Sequence, residues 1–171
     1  MKLHFSFLAA IIFLLSACSY ESKTYGFETS ELKLTAEGPL FDGSNTATAV
    51  WKIKPALFFE NQKPQDLKFT SGKVKRIVIS SENYTDLPEI DRIVVEIAAP
   101  ETPMMRLGIL SENIVAGESY ELQIAESQEK LHKFFYQNEI TFVADVNMLD
   151  EEFYDDLELN ISVEFEFTTK E

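Results

Sequence analysis

Cysteine and histidine are scarce in this chain of 171 residues, which contains one Cys and two His. Cys18 has no second cysteine with which to form an intrachain disulfide. A zinc site of the Cys/His type needs three or four such ligands. Beyond the apolar leader, which contains His4, only Cys18 and His132 remain, so the sequence excludes a zinc site of this type.

Glycine and proline are also few, with six residues of each, and no low-complexity segment occurs. The chain is 45% hydrophobic and 26% charged, which is typical of a folded protein and excludes disordered and collagen-like classes. Residues 18–171 have the length of one domain, for which roughly 100–200 residues are usual. The sequence therefore predicts a single domain.

Positive charge is in deficit, because 15 Lys and Arg stand against 29 Asp and Glu. Without Lys2, which lies in the leader, 14 cationic residues remain and the net charge of residues 18–171 is −15. Such a charge repels nucleic acid and anionic lipid headgroups. We therefore expect no nucleic-acid partner and no polybasic membrane patch.

Catalytic motifs are missing as well: the chain has no G-x-S-x-G, H-E-x-x-H, Walker A or G-x-G-x-x-G pattern. His132 is the one imidazole of the mature chain, and no recognisable nucleophile accompanies it. The sequence predicts that the protein is not an enzyme and has no cofactor. An enzyme that uses a pair of carboxylates is the least favoured alternative.

The N-terminus has the three zones of an export signal. Lys2 and His4 come first, an apolar run follows from Phe5 to Leu15, and small residues end the segment. The run is too short to span a bilayer, which needs about 20 apolar residues. Residues 1–17 are therefore predicted to be a signal peptide.

The residues Leu15-Ser16-Ala17-Cys18 resemble the lipobox of bacterial lipoproteins. The resemblance implies that the chain is cut before Cys18 and that this residue receives a thioether-linked diacylglycerol and an acylated amine. Three acyl chains anchor a protein permanently in a membrane. Ser19 after the cysteine implies the outer membrane, on either its periplasmic or its surface face. A secreted protein with an unpaired cysteine is the alternative.

Two structural regions follow the lipobox. Residues 18–30 are polar, contain Gly26 and lack periodicity, which predicts a flexible tether. Residues 31–171 are predicted to form the folded domain, since apolar and polar residues alternate there with a period of two. The alternation is clearest from Leu157 to Thr168. Turn residues divide the domain into seven or eight strands, which predicts a mainly β fold, an antiparallel β-sandwich of the immunoglobulin-like or jelly-roll-like kind.

The segment from Ser127 to Gln137 differs, because it lacks Gly and Pro and places Leu131, Phe134 and Phe135 on one helical face. It predicts one short crossover helix with Ser127 as its N-cap. On this helix His132 lies off the apolar face and is expected at the surface.

Acidic residues are densest between the last two predicted strands. Oxygen ligands at short spacing suit Ca²⁺, but the segment lacks the glycine and the spacing of a calcium loop. We therefore expect a solvated turn and no metal, with calcium as a weak alternative. The candidate calcium ligands are Asp150, Glu152, Asp155 and Asp156.

Three tyrosines, Tyr84, Tyr136 and Tyr154, fall in predicted loops or at the helix end. Exposed aromatic rings beside polar groups can stack on sugars, which makes these residues weak candidates for ligand binding. The competing interpretation is that they fill the ends of the sandwich.

Beyond the lipobox, the chain resembles the small, acidic, phenylalanine-rich lipoproteins of Bacteroidetes-type bacteria in general character, including the stretch EGPLFDGSNTATAVW. The resemblance transfers no site residue except Cys18. It favours a non-catalytic, lipid-anchored interaction or assembly module at the outer membrane. The alternative is a surface module that binds a ligand or glycan through loop aromatics.

Overall fold

A computed structural model describes residues 22–53, 68–82 and 86–170, except for the side chain of Lys170. In these ranges the chain forms ten strands and one short 3₁₀ helix. The described residues include no helix with the length and hydrophobicity that crossing a membrane requires. The elements are β1 Ser22–Glu28, β2 Leu32–Ala36, β3 Leu40–Lys52, β4 Phe69–Ser80, β5 Ile90–Ala99, β6 Thr102–Leu110, β7 Ser119–Glu121, β8 Gln123–Ile124, the 3₁₀ helix Leu131–Tyr136, β9 Glu139–Phe153 and β10 Leu157–Lys170.

The described strands pair antiparallel in the order β7-β4-β10-β2-β3-β9-β5-β6-β8, and β1 pairs with β10. The two ends of this path meet, because only Leu122 separates β7, which pairs with β4, from β8, which pairs with β6. The Leu122 amide donates to the carbonyl of Ile77 at 3.0 Å. The sheet thus curves back on itself into a closed sandwich.

Alternation along the strands separates the core from the surface. In β10 every second residue from Leu157 to Phe167 is buried, and the residues between them are half-buried or exposed. β9 repeats the pattern from Ile140 to Met148. The predicted mainly β, antiparallel sandwich is confirmed. The strand number is higher than expected because β1 was not foreseen and the segment 119–124 divides into two strands.

The tether prediction is wrong from Ser22 onward. Strand β1 pairs with β10 over its whole length, and Thr29 behind it is buried. The Thr29 amide donates to the Val163 carbonyl at 2.9 Å, while its hydroxyl accepts from the Val163 amide at 3.0 Å. The partner strand lies more than a hundred residues away, so local sequence periodicity could not reveal the pairing. The folded domain therefore includes Ser22–Glu28 and Thr29, which the prediction assigned to the tether.

The predicted helix over 127–137 is shorter than expected, since only Leu131–Tyr136 is helical and its geometry is 3₁₀. Gln128 explains the late start. Its buried side chain accepts from the Val74 amide at 2.6 Å and donates to the Ala125 carbonyl at 3.0 Å. These bonds hold the preceding chain as a loop against β4, so Ser127 does not act as an N-cap.

The apolar face predicted for this helix is nevertheless the buried one. Phe135 packs with its ring centre 4.4 Å from that of Phe167 and 5.0 Å from that of Phe165. A Cβ on Gly72 would lie only 3.3 Å from the main-chain nitrogen of His132. The helix therefore packs on β4 and on the aromatic core next to it.

Candidate functional site

A group of acidic residues lies at one end of the sandwich. Residues 154–156 form the turn between β9 and β10, and β3 and β5 both begin beside it. Four chain segments therefore bring carboxylates together, and we call this region the acidic end. Its acidic residues include Glu37, Asp42, Glu89, Asp91, Asp150, Glu151, Glu152, Asp155 and Asp156.

Two of the candidate calcium ligands, Asp150 and Asp156, accept hydrogen bonds from separate backbone amides. The Asp150 carboxylate accepts a hydrogen bond from the Glu89 amide at 2.7 Å. The Asp156 carboxylate accepts one from the Gly38 amide at 2.9 Å. These bonds tie Asp150 to the start of β5 and Asp156 to the start of β3. Their role in the structure is to stabilise the turns.

The candidate ligands do not form a common site. Glu152, at the end of β9, accepts a hydrogen bond from the hydroxyl of Tyr154 in the turn. In the described part of the chain, no group of three or more His, Cys, Asp or Glu side chains is placed to hold a metal ion. The calcium alternative therefore finds no preformed ligand group among these residues.

Of the tyrosines proposed as ligand contacts, Tyr136 and Tyr154 are described, and they lie at opposite ends of the sandwich. The Tyr136 hydroxyl accepts from the Phe69 amide at 3.1 Å, and the two rings lie 5.6 Å apart, so this half-buried residue packs the start of β4. Tyr154 is 75% exposed and lies at the acidic end. Its hydrogen bond to Glu152 raises the pKa of the phenol. Tyr84 lies outside the described residues.

Sequence reasoning missed two exposed apolar residues at the acidic end, Phe41 and Leu149, which are 51% and 49% exposed. Leu149 lies in a β-bulge, where residues 149–151 stand opposite the single residue Asp42. The alternation along β9 could have indicated this exposure. Its buried residues have even numbers up to Met148, so the odd-numbered Leu149 faces outward. Phe41, Leu149 and Tyr154 are therefore exposed aromatic or apolar side chains of the acidic end.

The opposite end of the sandwich is where β1 and β4 begin and β10 ends, and we call it the Ser22 end. The 3₁₀ helix covers part of it. A groove of about 480 Å³ lies between this helix and residues 101–105. Lys130 and Lys133 line the groove, and Met104 in its wall is 54% exposed.

His132 is half-buried, which corrects its expected surface position. Its ring meets that of Tyr136 edge-on, at 6.5 Å between centres. Burial lowers the pKa of the imidazole, and the neighbouring Lys133 ammonium lowers it further. The ring is therefore neutral at physiological pH and acts as part of the packing under the helix.

Cys18, the predicted lipidation site, lies outside the described residues. The nearest described residue is Ser22, the first residue of β1. Ser22 is four positions after the cysteine in the sequence and lies at the Ser22 end.

Comparisons with known proteins give distant likenesses only. No family model matches the chain. No curated protein matches it either. A structure of infectious bursal disease virus, Gx strain, is 10% identical with a TM-score of 0.49; the match covers 86% of this chain and 33%, about a third, of the viral one. A structure of mud crab tombus-like virus is 10% identical over 90% of this chain and 83% of that one, with a TM-score of 0.45.

A further structure comes from work on the promiscuous specificity of carbohydrate-binding modules of the β-sandwich superfamily. It is 10% identical, covers 84% of this chain and 56% of that one, and has a TM-score of 0.31. Likenesses of this size carry no argument about function.

Proposed function

We propose that the protein is a lipid-anchored, non-catalytic interaction module at the bacterial outer membrane. The leader and the residues Leu15-Ser16-Ala17-Cys18 support the anchor, and Ser19 supports the outer membrane. The domain then presents a binding surface to a partner and carries out no chemistry of its own.

The observation that carries this proposal is the position of β1. It enters the sheet at Ser22, at the end opposite the acidic turn 154–156. Four residue steps from Cys18 span at most about 14 Å. Strand β10, with 14 residues, is about 45 Å long. A lipid on Cys18 would therefore hold the Ser22 end close to the membrane and direct the acidic end away from it.

The acidic end is the surface that we assign to the partner. Phe41, Leu149 and Tyr154 are exposed there among carboxylates. Apolar side chains surrounded by charge of one sign are typical of a binding surface, with contact area at the centre and charge that selects the partner. A protein with a basic, partly apolar surface fits this end best.

A glycan is the second candidate partner. The placement of two aromatic residues beside one carboxylate favours it. Phe41 is paired with Glu152 across β3 and β9, and the Tyr154 hydroxyl donates to the same carboxylate. Exposed rings next to acceptors of hydrogen bonds can bind sugars by stacking and by bonds to hydroxyl groups.

The anchor is tested with Cys18→Ala. We expect the wild-type protein to follow the membrane fraction and to carry a lipid mass on Cys18, and the variant to remain unprocessed or soluble. Membrane association of the variant, together with an unmodified Cys18 in the wild type, would refute the anchor.

The partner surface is tested by crosslinking in intact membranes. The double variant Phe41→Ser with Leu149→Ser is compared with the control variant Val50→Ser. Val50 is similarly exposed, at 55%, but it lies in the half of β3 nearer the Ser22 end. We expect the first pair of changes to abolish a crosslinked product that the control retains. Identical products from all variants would refute this assignment, and binding to glycans alone would favour the second candidate.

A further inference from the structure

Exposed lysines are concentrated at the Ser22 end. Lys52 ends β3, Lys68 precedes β4, and Lys130 and Lys133 belong to the helix segment that packs there. All four side chains are exposed. Backbone contacts place these segments together, since the Ile53 amide donates to the Asn138 carbonyl at 2.9 Å.

Acidic residues accompany these lysines. Glu166, near the end of β10, is already paired with Lys73 at 2.6 Å and with Lys75 at 3.9 Å. Glu139 stands opposite Lys52 in the β3–β9 ladder, and Glu101 and Glu129 lie beside the groove. Within the described ranges, no ion pair involves Lys68, Lys130 or Lys133. Among the described residues of this end, lysines therefore outnumber acids, although the chain as a whole is strongly negative.

The attraction of the Ser22 end for a charged surface depends on the charges near that end more than on the net charge of the chain. The two ends lie about 45 Å apart, the length of a 14-residue strand. Interactions between exposed charges are screened over about 8 Å at physiological salt. Carboxylates at the acidic end therefore oppose contact of the Ser22 end with an anionic surface only weakly.

We propose that the Ser22 end docks directly on a negatively charged lipid surface. The inference rests on the proposed lipid anchor, which would keep this end within about 14 Å of the bilayer and make a weak attraction effective. Lys68, Lys130 and Lys133 would contact phosphate groups of the lipids. Met104, exposed beside the groove, would enter the boundary between headgroups and acyl chains. The anchor and the docked end together would fix the orientation of the domain.

The experiment uses the mature, lipidated protein in vesicles of phosphatidylcholine, with and without roughly 30% phosphatidylglycerol. An amine-reactive reagent modifies the lysines, and mass spectrometry measures the rate at each one. At about 50 mM salt we expect Lys68, Lys130 and Lys133 to react about five-fold more slowly on anionic vesicles, and to recover at about 500 mM salt. Lys33, in β2 beside the acidic half of β10, is the internal control and keeps one rate on both vesicles.

Two double variants sharpen the test. Lys130→Gln with Lys133→Gln should return Lys68 to its rate on zwitterionic vesicles. Lys33→Gln with Arg92→Gln removes the same charge nearer the acidic end and should leave Lys68 protected. Circular dichroism confirms that both variants are folded.

Equal labelling rates on both kinds of vesicle, with the protein attached, would overturn the docking and leave the anchor intact. Protection by inorganic phosphate on zwitterionic vesicles would overturn the lipid surface as the occupant. If the wild-type protein carries no lipid on Cys18 and does not float with either kind of vesicle, both proposals fail, because the local charge is too small to hold the domain without an anchor.

Discussion

Phe27 stacks on Phe167, with ring centres 5.3 Å apart and ring planes at 9°. The same ring lies 5.3 Å from that of Phe135 and 6.0 Å from that of Trp51. Phe27 belongs to β1, the first strand in the described residues, so this contact joins that segment to the aromatic core. The strand that follows the predicted anchor is therefore held by packing as well as by its hydrogen bonds to β10.

Phe27→Ala should destabilise the domain by about 2–4 kcal/mol, because it removes a half-buried ring from an aromatic cluster. The control Thr24→Ala changes an exposed residue of the same strand and should stay within about 0.5 kcal/mol. Urea unfolding of the mature protein measures both. Equal stability of the two variants would mean that this segment is the tether that its sequence suggests.

Gly38→Ala should cost more than about 2 kcal/mol, because a Cβ at this position would lie 2.5 Å from the Tyr154 carbonyl oxygen and 2.7 Å from that of Asp155. Backbone atoms of the β9–β10 turn cannot move aside without breaking the turn. Gly26→Ala is the matched control, since its Cβ would meet nothing closer than 3.9 Å. The control should be neutral or slightly stabilising in the same unfolding measurement. A neutral Gly38→Ala would contradict the close packing of this turn.

Ca²⁺ should not stabilise the protein more than Mg²⁺ does at equal ionic strength, because Asp150 and Asp156 are engaged with separate backbone amides. A site with a Kd near 10 μM would raise the free energy of unfolding by about 2.7 kcal/mol at 1 mM Ca²⁺. Melting temperatures in the two salts measure the difference. A rise specific to Ca²⁺ that is lost in Asp150→Asn with Asp155→Asn would establish a calcium site.

The titration of His132 should make the protein less stable in mild acid. Burial lowers the pKa of the folded imidazole below its ordinary value near 6.5, so the unfolded chain takes up this proton first as the pH falls. Stability is complete above about pH 6.5 and declines from there toward the lower pKa of the folded state. His132→Gln should lose less stability than the wild type between about pH 7.5 and pH 5.5 in urea unfolding.

An NMR titration of the mature protein checks the same group directly, because His132 is its single histidine. A folded pKa above about 6.5 would contradict the assignment.

The alternation of apolar and polar residues by itself determined much of the fold. From Leu157 to Phe167 and from Ile140 to Val146 it identified the buried side of two long strands correctly. It also identified the apolar face of Leu131, Phe134 and Phe135, although not the helix type. These features are local, since a side chain's face follows from its position in the strand or turn. The predicted signal peptide and the lipobox at Cys18 are likewise local, and they stay predictions.

Tertiary structure decided the features that depend on distant residues. The segment Ser22–Glu28 is a strand only because β10 offers its edge, and Gln128 prevents an early helix only because the Val74 amide lies beside it. The separation of charge is of the same kind. Composition gives one net value for the chain, whereas the antiparallel strands carry the turn 154–156 and the lysines near Ser22 to opposite ends. Salt screens charge over about 8 Å, which is much shorter than the separation of the two ends. A partner at either end would therefore meet the charges near that end and not the net charge of the chain.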